Sequence, residues 1–360
     1  MRKQYWQLAL SRLGEGRLTW LMEQGWKSMA VRVGAHLGRP LSGPILGSIL
    51  VTYRCDNLCL MCDYPQQAVA RKKGGDVELT PVELRTVVED FHKIGSSSVS
   101  FTGGEPMLRP DVLDLLRRGR ELGMLTNINS NANLLHKEEL CRELLETKLD
   151  LINFSIDGAE ASTHDHLRGV KGGHAKLVEA VGHIRELKAR HGYKTLLNLV
   201  TVISPRNLPE IPRLLELARS WGVNRIGFMP LHAFDFQKDD LNASPEQWLA
   251  ELDSVVRLLQ ESRDIVDSSV EYLALFRDAF LGRPLPFSCK ASYSSLMVNT
   301  YGEIFPCFPW IERRKSVGNV RQTPLREFWA SSTYNEKRRE VDACSDCHWN
   351  CHTELNLALK

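Results

Sequence analysis

The sequence predicts an α/β fold in which a partial barrel of six β/α units precedes a small cysteine-rich domain. Between about residue 47 and residue 230, short apolar runs alternate with segments of helical periodicity, which is typical of a parallel sheet covered by helices. Six alternations are too few for a closed eight-fold barrel, so we expect a partial one. After residue 286 the sequence changes to short strands and turns that contain five of the nine cysteines.

The elements of the barrel can be placed in order. Strands are predicted at 49–52, 99–102, 126–129, 151–155, 195–203 and 226–230, and helices at 81–95, 112–122, 137–145, 175–190 and 208–220. The first of these helices has the clearest start, because Thr80 can cap it, Pro81 suits its first position and Glu83 completes a capping box. Helical periodicity returns over 241–283, and strands at 295–299 and 303–305 are predicted to form a hairpin.

Bulk properties exclude several classes of protein. A hydrophobic content of 43% and a charged content of 25% are typical of a folded protein. A net charge of +2 argues against a protein that binds nucleic acid mainly through phosphate contacts. No apolar run is long enough for a spanning helix and no secretory signal is recognisable, so we expect a cytoplasmic protein.

The first 44 residues form a basic extension with seven Lys and Arg residues and two Glu residues. Trp6, Trp20 and Trp26 are interleaved with Leu and Met, which predicts amphipathic helices. Two interpretations remain open. The extension is either a helical lid packed on the core, or a peripheral contact with the inner face of a membrane, where Trp with Lys and Arg suits the headgroup region.

Three cysteines follow the first predicted strand at once, in the pattern Cys55-x3-Cys59-x2-Cys62. Three thiolates on one short loop can hold three irons of a cubane and leave the fourth iron open to a small chelating molecule. Zinc is the alternative, but it prefers four ligands, with cysteine pairs separated by a longer gap. The loop therefore predicts an iron–sulfur cluster with one open position.

This cysteine loop resembles the signature of the radical S-adenosylmethionine (SAM) superfamily. The resemblance implies a partial TIM-like barrel and a [4Fe–4S] cluster whose open iron is chelated by the amino and carboxylate groups of SAM. It further implies reductive cleavage of SAM to a 5′-deoxyadenosyl radical that takes hydrogen from a substrate. A low-potential donor such as flavodoxin or ferredoxin is implied as a partner.

Further stretches match the family in the expected order. Gly103-Gly104-Glu105-Pro106 resembles the GGEP motif that meets the SAM amino group, and Ser130-Asn131-Ala132 lies where the family often has Thr-Asn-Gly. A stretch that runs from Ser155-Ile-Asp157-Gly158 through His164-Asp165 to Arg168-Gly169 resembles a third family motif. The resemblance implies SAM contacts by Gly103, Gly104, Glu105, Pro106, Met61, Asn131, Ser155, Asp157 and Arg168, although Arg168 is equally expected in a structural ion pair.

The C-terminal cysteines resemble the SPASM/twitch auxiliary-cluster domain. Cys289 and Cys307 enclose Gly302 in the pattern C-x12-G-x4-C, and Cys344-x2-Cys347-x3-Cys351 follows. The full SPASM pattern has seven cysteines, whereas this chain has five. We therefore expect one auxiliary [4Fe–4S] cluster, held by Cys289, Cys307 and two of the last three cysteines, while a second incomplete cluster and a zinc site remain open.

Four segments are predicted: a basic helical extension (1–44), a radical SAM core (45–240), a helical linker (241–286) and a SPASM/twitch domain (287–360). Substrate is expected at the barrel mouth, between the two clusters. A small-molecule or lipid-like metabolite ranks first, because 44 residues are too few for a separate peptide-recognition domain. A peptide ranks second, and a non-enzymatic electron carrier is a remote alternative. The sequence identifies no catalytic acid or base.

Overall fold

The computed structural model describes residues 19–232, 245–345 and 347–360, with nine strands in one sheet. The strands are β1 Leu46–Thr52, β2 Ser98–Gly103, β3 Leu125–Ser130, β4 Leu151–Ser155, β5 Leu196–Ile203, β6 Arg225–Pro230, β7 Ser295–Val298, β8 Glu303–Phe305 and β9 Gly318–Asn319.

Most helices of the described residues cover this sheet. They are α1 Thr19–Leu37, α2 Tyr64–Lys73, α3 Pro81–Lys93, α4 Val112–Glu121, α5 Glu138–Glu146, α6 Ala161–Arg168, α7 Gly173–His191, α8 Ile211–Ser220, α9 Pro245–Glu261, α10 Val270–Leu273, α11 Phe276–Phe280, α12 Ala291–Ser294, α13 Phe308–Glu312, α14 Leu325–Phe328, α15 Ser332–Asp342 and α16 Asn350–Ala358. Short 3-10 turns lie at Pro106–Leu108, Leu134–His136 and Leu208–Glu210.

The predicted α/β architecture is confirmed. Strands β1 to β6 are all parallel and follow one another in order across the sheet. Each pair is joined by at least one helix, as parallel strands require. The carboxyl ends of the six strands therefore meet at one edge, where the predicted site residues lie.

The C-terminal hairpin continues the same sheet. Strand β7 pairs with β1 in parallel, from Leu46 opposite Ser295 to Ile49 opposite Val298, and β8 and β9 follow antiparallel. Thr300, which follows β7, donates its hydroxyl to the carbonyl of Val51 at 3.0 Å. The predicted segment boundary at 286/287 stays a prediction, but the sheet runs across it.

The two faces of the barrel strands differ in chemistry. The outward face is apolar and packs on the helices, with side chains such as Val99, Phe101, Ile128 and Phe154 fully buried. The inward face carries serine and asparagine side chains that line a cavity. The core thus lies between sheet and helices, and the barrel interior carries polar side chains among apolar ones.

Helix α1 packs one face on the molecule and exposes the other. Val31 joins a buried cluster with Ile45 and Leu355, and Lys27 Nζ donates to Ser97 Oγ at 2.8 Å. On the opposite face lies an exposed apolar stripe, composed of Met22, Trp26, Met29, Val33 and Leu37. The predictions for residues 1–18, including Trp6, fall outside the described residues. None of the helices in the described part of the chain is long and apolar enough to cross a membrane.

Candidate functional site

The loop of Cys55, Cys59 and Cys62 lies at the carboxyl end of β1 and leads directly into α2. A turn brings the last two cysteines together, since the Cys62 N–H donates to the Cys59 carbonyl at 3.2 Å. The Asn57 N–H points at the Cys55 sulfur, 3.4 Å away. The three predicted cluster ligands therefore share one short loop, with backbone donors directed at sulfur.

Two glycines allow the end of β2 to pack against the chain that leads to this loop. Gly104 donates its N–H to the Thr52 carbonyl at 2.8 Å. A Cβ atom at Gly104 would lie 2.2 Å from the Arg54 carbonyl oxygen, and one at Gly103 would lie 2.2 Å from that of Thr52. Gly103 also has a φ of +128°, which side chains rarely allow. This GGEP glycine pair thus sets how closely the two strand ends approach.

Glu105 is fully buried and joins the ends of β2 and β3. Its carboxylate accepts hydrogen bonds from the N–H groups of Met107 (3.0 Å) and Asn131 (2.7 Å) and from the Ser130 hydroxyl (2.9 Å). Burial raises its pKa to about 7, although these donors oppose the rise. The carboxylate is bound by the protein itself and does not line the cavity, so its contact with SAM stays a prediction.

Asn131 connects Glu105 to the cysteine loop. Its Nδ2 donates to Asp56 Oδ1 at 2.7 Å and lies 3.7 Å from the Cys55 sulfur. The next residue, Ala132, has a φ of +68°, in the left-handed region that favours glycine. The chain therefore keeps, with an alanine, the backbone conformation that the related Thr-Asn-Gly motif would adopt with glycine.

Asp157 and Arg168 form a buried ion pair beside the second cysteine. The Arg168 guanidinium Nε lies 2.7 Å from Asp157 Oδ2, and its Nη1 lies 4.0 Å from the Cys59 sulfur. Burial raises the pKa of Asp157, and the nearby guanidinium opposes this. Asp157 also accepts the Val202 N–H at 2.8 Å, which fixes it against β5. The structural ion pair expected as one reading of Arg168 is present, and a carboxylate of SAM would have to share this guanidinium.

Gly169 closes α6 and contacts the cysteine loop. Its φ is +58°, and a Cβ atom there would lie 2.1 Å from the Leu58 carbonyl oxygen. The Leu60 N–H donates to the Leu167 carbonyl at 3.0 Å. The end of α6 therefore holds the middle of the loop in place.

The surroundings of these thiols fit a cluster. Burial raises the pKa of Cys55 to about 12 and raises those of Cys59 and Cys62 as well, so the thiolates need a positive partner such as iron. The described residues contain no group of three Cys, His, Asp or Glu side chains drawn together around a single ion. A cubane takes one cysteine on each of three irons, so the three thiolates of this loop would suit such a cluster.

Four of the C-terminal cysteines group together. Burial raises the pKa of Cys307 well above its ordinary value, and its neighbours Cys347, Cys289 and Cys344 raise it further. Cys347 has Cys289 and Cys344 as neighbours too. The Cys289 sulfur accepts hydrogen bonds from the Ala291 N–H (3.4 Å) and from Asn356 Nδ2 (3.6 Å). The set contains the four thiolates that a [4Fe–4S] cluster takes.

Cys351 lies on the wall of the cavity and is a neighbour of Cys347, whereas the other four cysteines are neighbours of one another. Burial raises the pKa of Cys351 to about 12. His352 is buried and accepts the Phe308 N–H on Nε2 at 3.2 Å. Burial lowers the pKa of His352 to about 3, which leaves it a neutral structural residue.

A cavity of about 450 Å³ connects the first cysteine loop with the C-terminal segment through the inside of the barrel. Of the predicted SAM-binding residues, Met61, Ser155 and Arg168 line it. The other predicted SAM-binding residues lie behind the cavity wall, where several of them hold the cysteine loop. They are Gly103, Gly104, Glu105, Pro106, Asn131 and Asp157. All of these roles toward SAM remain predictions.

The sequence assigns no role to several cavity residues, although it places Tyr64 near the end of a predicted strand. Tyr64 Oη donates to Glu312 Oε1 at 2.6 Å next to the first cysteine loop. Phe308 and Trp349 stack with their ring centroids 5.5 Å apart, and both line the cavity beside Cys351. Their positions next to Cys62, Cys307 and Cys351 in the sequence were the available signal.

Comparison with protein-family models gives two matches. The model of the radical SAM superfamily matches residues 49–218, and the model of the SPASM iron–sulfur cluster-binding domain matches residues 289–352. The first match contains Cys55, Cys59, Cys62 and Cys141, and the second contains the last five cysteines.

Individual relatives agree with these matches. A PqqA peptide cyclase of Rhodopseudomonas palustris is 27% identical over 266 residues, which are 73% of this chain and 67% of the relative. An AdoMet-dependent heme synthase of Methanosarcina barkeri is 26% identical over 294 residues, 76% of this chain and 80% of the relative. The fold resembles that of Streptococcus suis SuiB bound to its precursor peptide SuiA, with a TM-score of 0.66, 16% identity and coverage of 97% and 85%.

Replacing Gly169 by alanine should damage the first cluster. The new Cβ atom would collide with the carbonyl of Leu58, whereas alanine at Gly172, whose φ is also positive, meets no atom within 4 Å. Both variants carry backbone strain of about 1–2 kcal/mol, but we expect only Gly169→Ala to lose roughly half of the iron. Iron analysis after anaerobic reconstitution measures this, and equal iron in the two variants would refute the role of Gly169.

The C-terminal cysteines should differ in their effect on the auxiliary cluster. Cys307→Ser and Cys344→Ser remove members of the group of four, so we expect each to lose that cluster. Cys351→Ser leaves the group intact and should keep it. The measurement is iron and sulfide content together with the spectrum of the reduced protein. If Cys351→Ser loses as much iron as Cys307→Ser, the assignment of the four ligands is wrong.

Proposed function

We propose that this chain, a radical SAM enzyme with a C-terminal SPASM domain, modifies a peptide whose reacting residue enters the cavity between the two cysteine sites. Cys55, Cys59 and Cys62 would hold a [4Fe–4S] cluster, which, given one electron by a low-potential donor, would supply the cleavage of SAM to methionine and a 5′-deoxyadenosyl radical that takes a hydrogen atom from the substrate. An auxiliary cluster binds in the SPASM domain. The peptide is the proposal, and the charge of the cavity is the observation that carries it.

The described lining of the cavity has more carboxyl groups than cations. Asp150, Asp267, Glu312 and Glu354 line it, and of these Asp150 is paired with Arg120 at 3.3 Å, whereas Arg168 is the one Lys or Arg among the described lining residues. Arg168 is already paired with Asp157. A substrate that carries several negative charges would therefore bury them without cationic partners, which is costly.

This charge distinguishes the two kinds of relative. A heme-type tetrapyrrole carries propionate carboxylates that need cations, and the described cavity offers little for them. A neutral or cationic peptide segment meets no such penalty. The same argument weighs against an anionic lipid, and together with the similarity to a peptide cyclase it favours the peptide over the small-molecule or lipid-like metabolite expected from the sequence.

The part of the cavity next to the first cysteine loop, which we call its mouth, offers contacts suited to a peptide side chain. The stacked rings of Phe308 and Trp349 and the thioethers of Met61 and Met229 present apolar surface. Beside them the Glu312 carboxylate, held by Tyr64, can accept a hydrogen bond from a substrate N–H. Burial raises the pKa of Glu312 to about 7. The mouth can therefore orient a residue by both apolar packing and a hydrogen bond.

The test measures 5′-deoxyadenosine from the anaerobically reconstituted protein with SAM and dithionite. Pools of synthetic peptides that are neutral, cationic or anionic are compared with iron-coproporphyrin III. We expect neutral or cationic peptides to raise the rate at least tenfold over the uncoupled background and to change in mass. A variant with Cys55, Cys59 and Cys62 replaced by alanine is the control without the first cluster. Stimulation by the tetrapyrrole or by anionic peptides alone would contradict the proposal.

We also propose that α1 contacts a membrane surface. Its exposed stripe contains Trp26, which is 55% exposed, and Met22, which is 78% exposed, in a helix that follows a basic N-terminal segment. Five exposed apolar side chains at helical spacing on one face form a patch of the kind that marks an interaction site. Trp beside basic residues suits the headgroup region of anionic lipids.

Sedimentation with phosphatidylglycerol vesicles tests the membrane contact. Replacing Met22, Trp26 and Met29 by glutamine should weaken binding at least tenfold, because it removes the apolar surface of the stripe. The matched control replaces Val69, Val77 and Val82, which are exposed elsewhere, by glutamine and should bind as the wild type does. No sedimentation of the unaltered protein, or equal loss in the control, would exclude the contact.

A further inference from the structure

A row of uncharged polar side chains crosses the strands that line the barrel cavity, and we call this row the polar tier. It consists of Ser48, Ser100, Asn127, Asn129, Asn153 and Asn198. They come from the five neighbouring strands β1 to β5. The strand register places Ser48 beside Ser100, Ser100 beside Asn127, Asn129 beside Asn153 and Asn153 beside Asn198.

Hydrogen bonds join part of the polar tier into a chain. Asn153 Nδ2 donates to Asn129 Oδ1 at 2.9 Å, and Asn129 Nδ2 donates to Ser100 Oγ at 3.2 Å. Ser100 Oγ in turn donates to Asn127 Oδ1 at 2.6 Å. The orientation of four side chains is therefore set before any ligand arrives, and this preorganises the surface that they present to the cavity.

Each of the two residues at the ends of the polar tier has one polar atom that makes no hydrogen bond. Ser48 Oγ and Asn198 Oδ1 are buried and have no hydrogen-bond partner among the described residues. Ser48 is only 1% exposed and Asn198 only 4%. A buried polar atom without a partner destabilises the folded protein, so such atoms in a cavity wall indicate a ligand that completes them.

The polar tier differs from the interior of a closed barrel. The interior of a closed eight-stranded barrel is filled by layers of Val, Ile and Leu, and the strands of buried parallel sheets are ordinarily apolar on both faces. Here the outward faces of the same strands keep that pattern, with residues such as Ile128 and Ile152 fully buried. Folding alone therefore explains the outward residues but not the amides and hydroxyls inside.

We propose that the polar tier binds an uncharged hydrogen-bonding group of the substrate, namely a carboxamide. An amide group supplies an N–H for the Asn198 oxygen and a carbonyl for hydroxyl and amide donors, which matches the mixed donors and acceptors of the tier. The group is the side-chain carboxamide of Gln or Asn. The identification of the substrate as a peptide rests on the proposed function, but the amide site rests on the tier alone.

The polar tier also gives selectivity. A charged group would lose its hydration beside side chains that cannot neutralise it. An apolar group would leave the amides of the tier unpaired, and sites built to hydrogen-bond discriminate strongly against such analogues. The tier therefore selects the residue that lies deepest in the barrel, while the mouth with Phe308 and Glu312 orients the residue nearer the first cysteine loop.

The test uses the reconstituted protein and two small probes, N-acetylglutamine methylamide and N-acetylleucine methylamide. Saturation-transfer NMR should give a signal for the glutamine probe that is at least fivefold stronger. Asn198→Leu and Ser48→Ala should each remove most of that difference. Thr201→Val is the matched control, because the Thr201 hydroxyl is also a buried orphan but does not line the cavity. It should bind the glutamine probe as the wild type does.

The melting temperature of the ligand-free protein separates a binding role from a structural one. Replacing an unpaired buried polar group by an apolar one of similar shape should leave the melting temperature unchanged or higher. A structural role predicts a lower one. If Asn198→Leu fails to fold, Ser48→Ala, which removes one oxygen, still tests the tier. Equal signals for both probes, or an unchanged glutamine signal in Ser48→Ala, would overturn the proposal.

The outcomes for the polar tier and for the proposed function can be told apart. If no peptide stimulates SAM cleavage but the glutamine probe binds and the tier variants lose it, the amide site stands without the peptide substrate. If a peptide reacts and its KM is the same in wild type and Asn198→Leu, the peptide function stands and the amide site is wrong. A tenfold rise in KM in Asn198→Leu supports both.

Discussion

The carboxylate of Glu105 accepts three hydrogen bonds from residues at the ends of β2 and β3, and the first cysteine site depends on them. A buried carboxylate without such donors would be strongly destabilising, so the two strand ends are held where the donors reach it. Asn131, fixed in this way, extends to Asp56 and the Cys55 sulfur. Glu105 of the GGEP motif thus joins two strand ends, and through Asn131 it helps to position the cysteine loop.

A second buried acid has the same function on the other side of the loop. Asp157 holds Arg168 near the Cys59 sulfur, while the end of α6 presses on Leu58. The residues that match family motifs therefore fall into two groups. Some line the cavity, and the others lie behind it and hold the cysteine loop in place. The acidic lining, the aromatic mouth and the polar tier belong to the cavity itself, so they are where enzymes with this common frame can differ in substrate.

The sequence predicts the strands well, because strands depend on local patterns, whereas the predicted ligands stay a prediction. Apolar runs place β1 to β6 within a few residues, and the capping box of Thr80 and Glu83 places the start of α3, where both of its hydrogen bonds form. The sequence alone does not decide whether Arg168 pairs with Asp157 or binds SAM. The ion pair depends on α6, a polar helix that hydrophobic periodicity does not predict. Separating Cys351 from the other four cysteines requires the packing of segments far apart in the chain. The polar tier did leave a signal, because Asn127 and Asn129 flank Ile128 in a strand that a parallel sheet would ordinarily make apolar throughout.

The pairing of β7 with β1 means that the C-terminal hairpin of β7 and β8 also covers the edge of the parallel sheet. Without it, the backbone N–H and C=O groups of β1 opposite Ser295 to Val298 would lie unpaired along an apolar strand, which is a template for aggregation. Among the described residues that edge is instead the two-residue β9, too short to recruit another strand. The C-terminal segment is therefore not a detachable module. Removing it should make the barrel insoluble, whatever its effect on redox chemistry. We expect the barrel and the hairpin to fold as one cooperative unit.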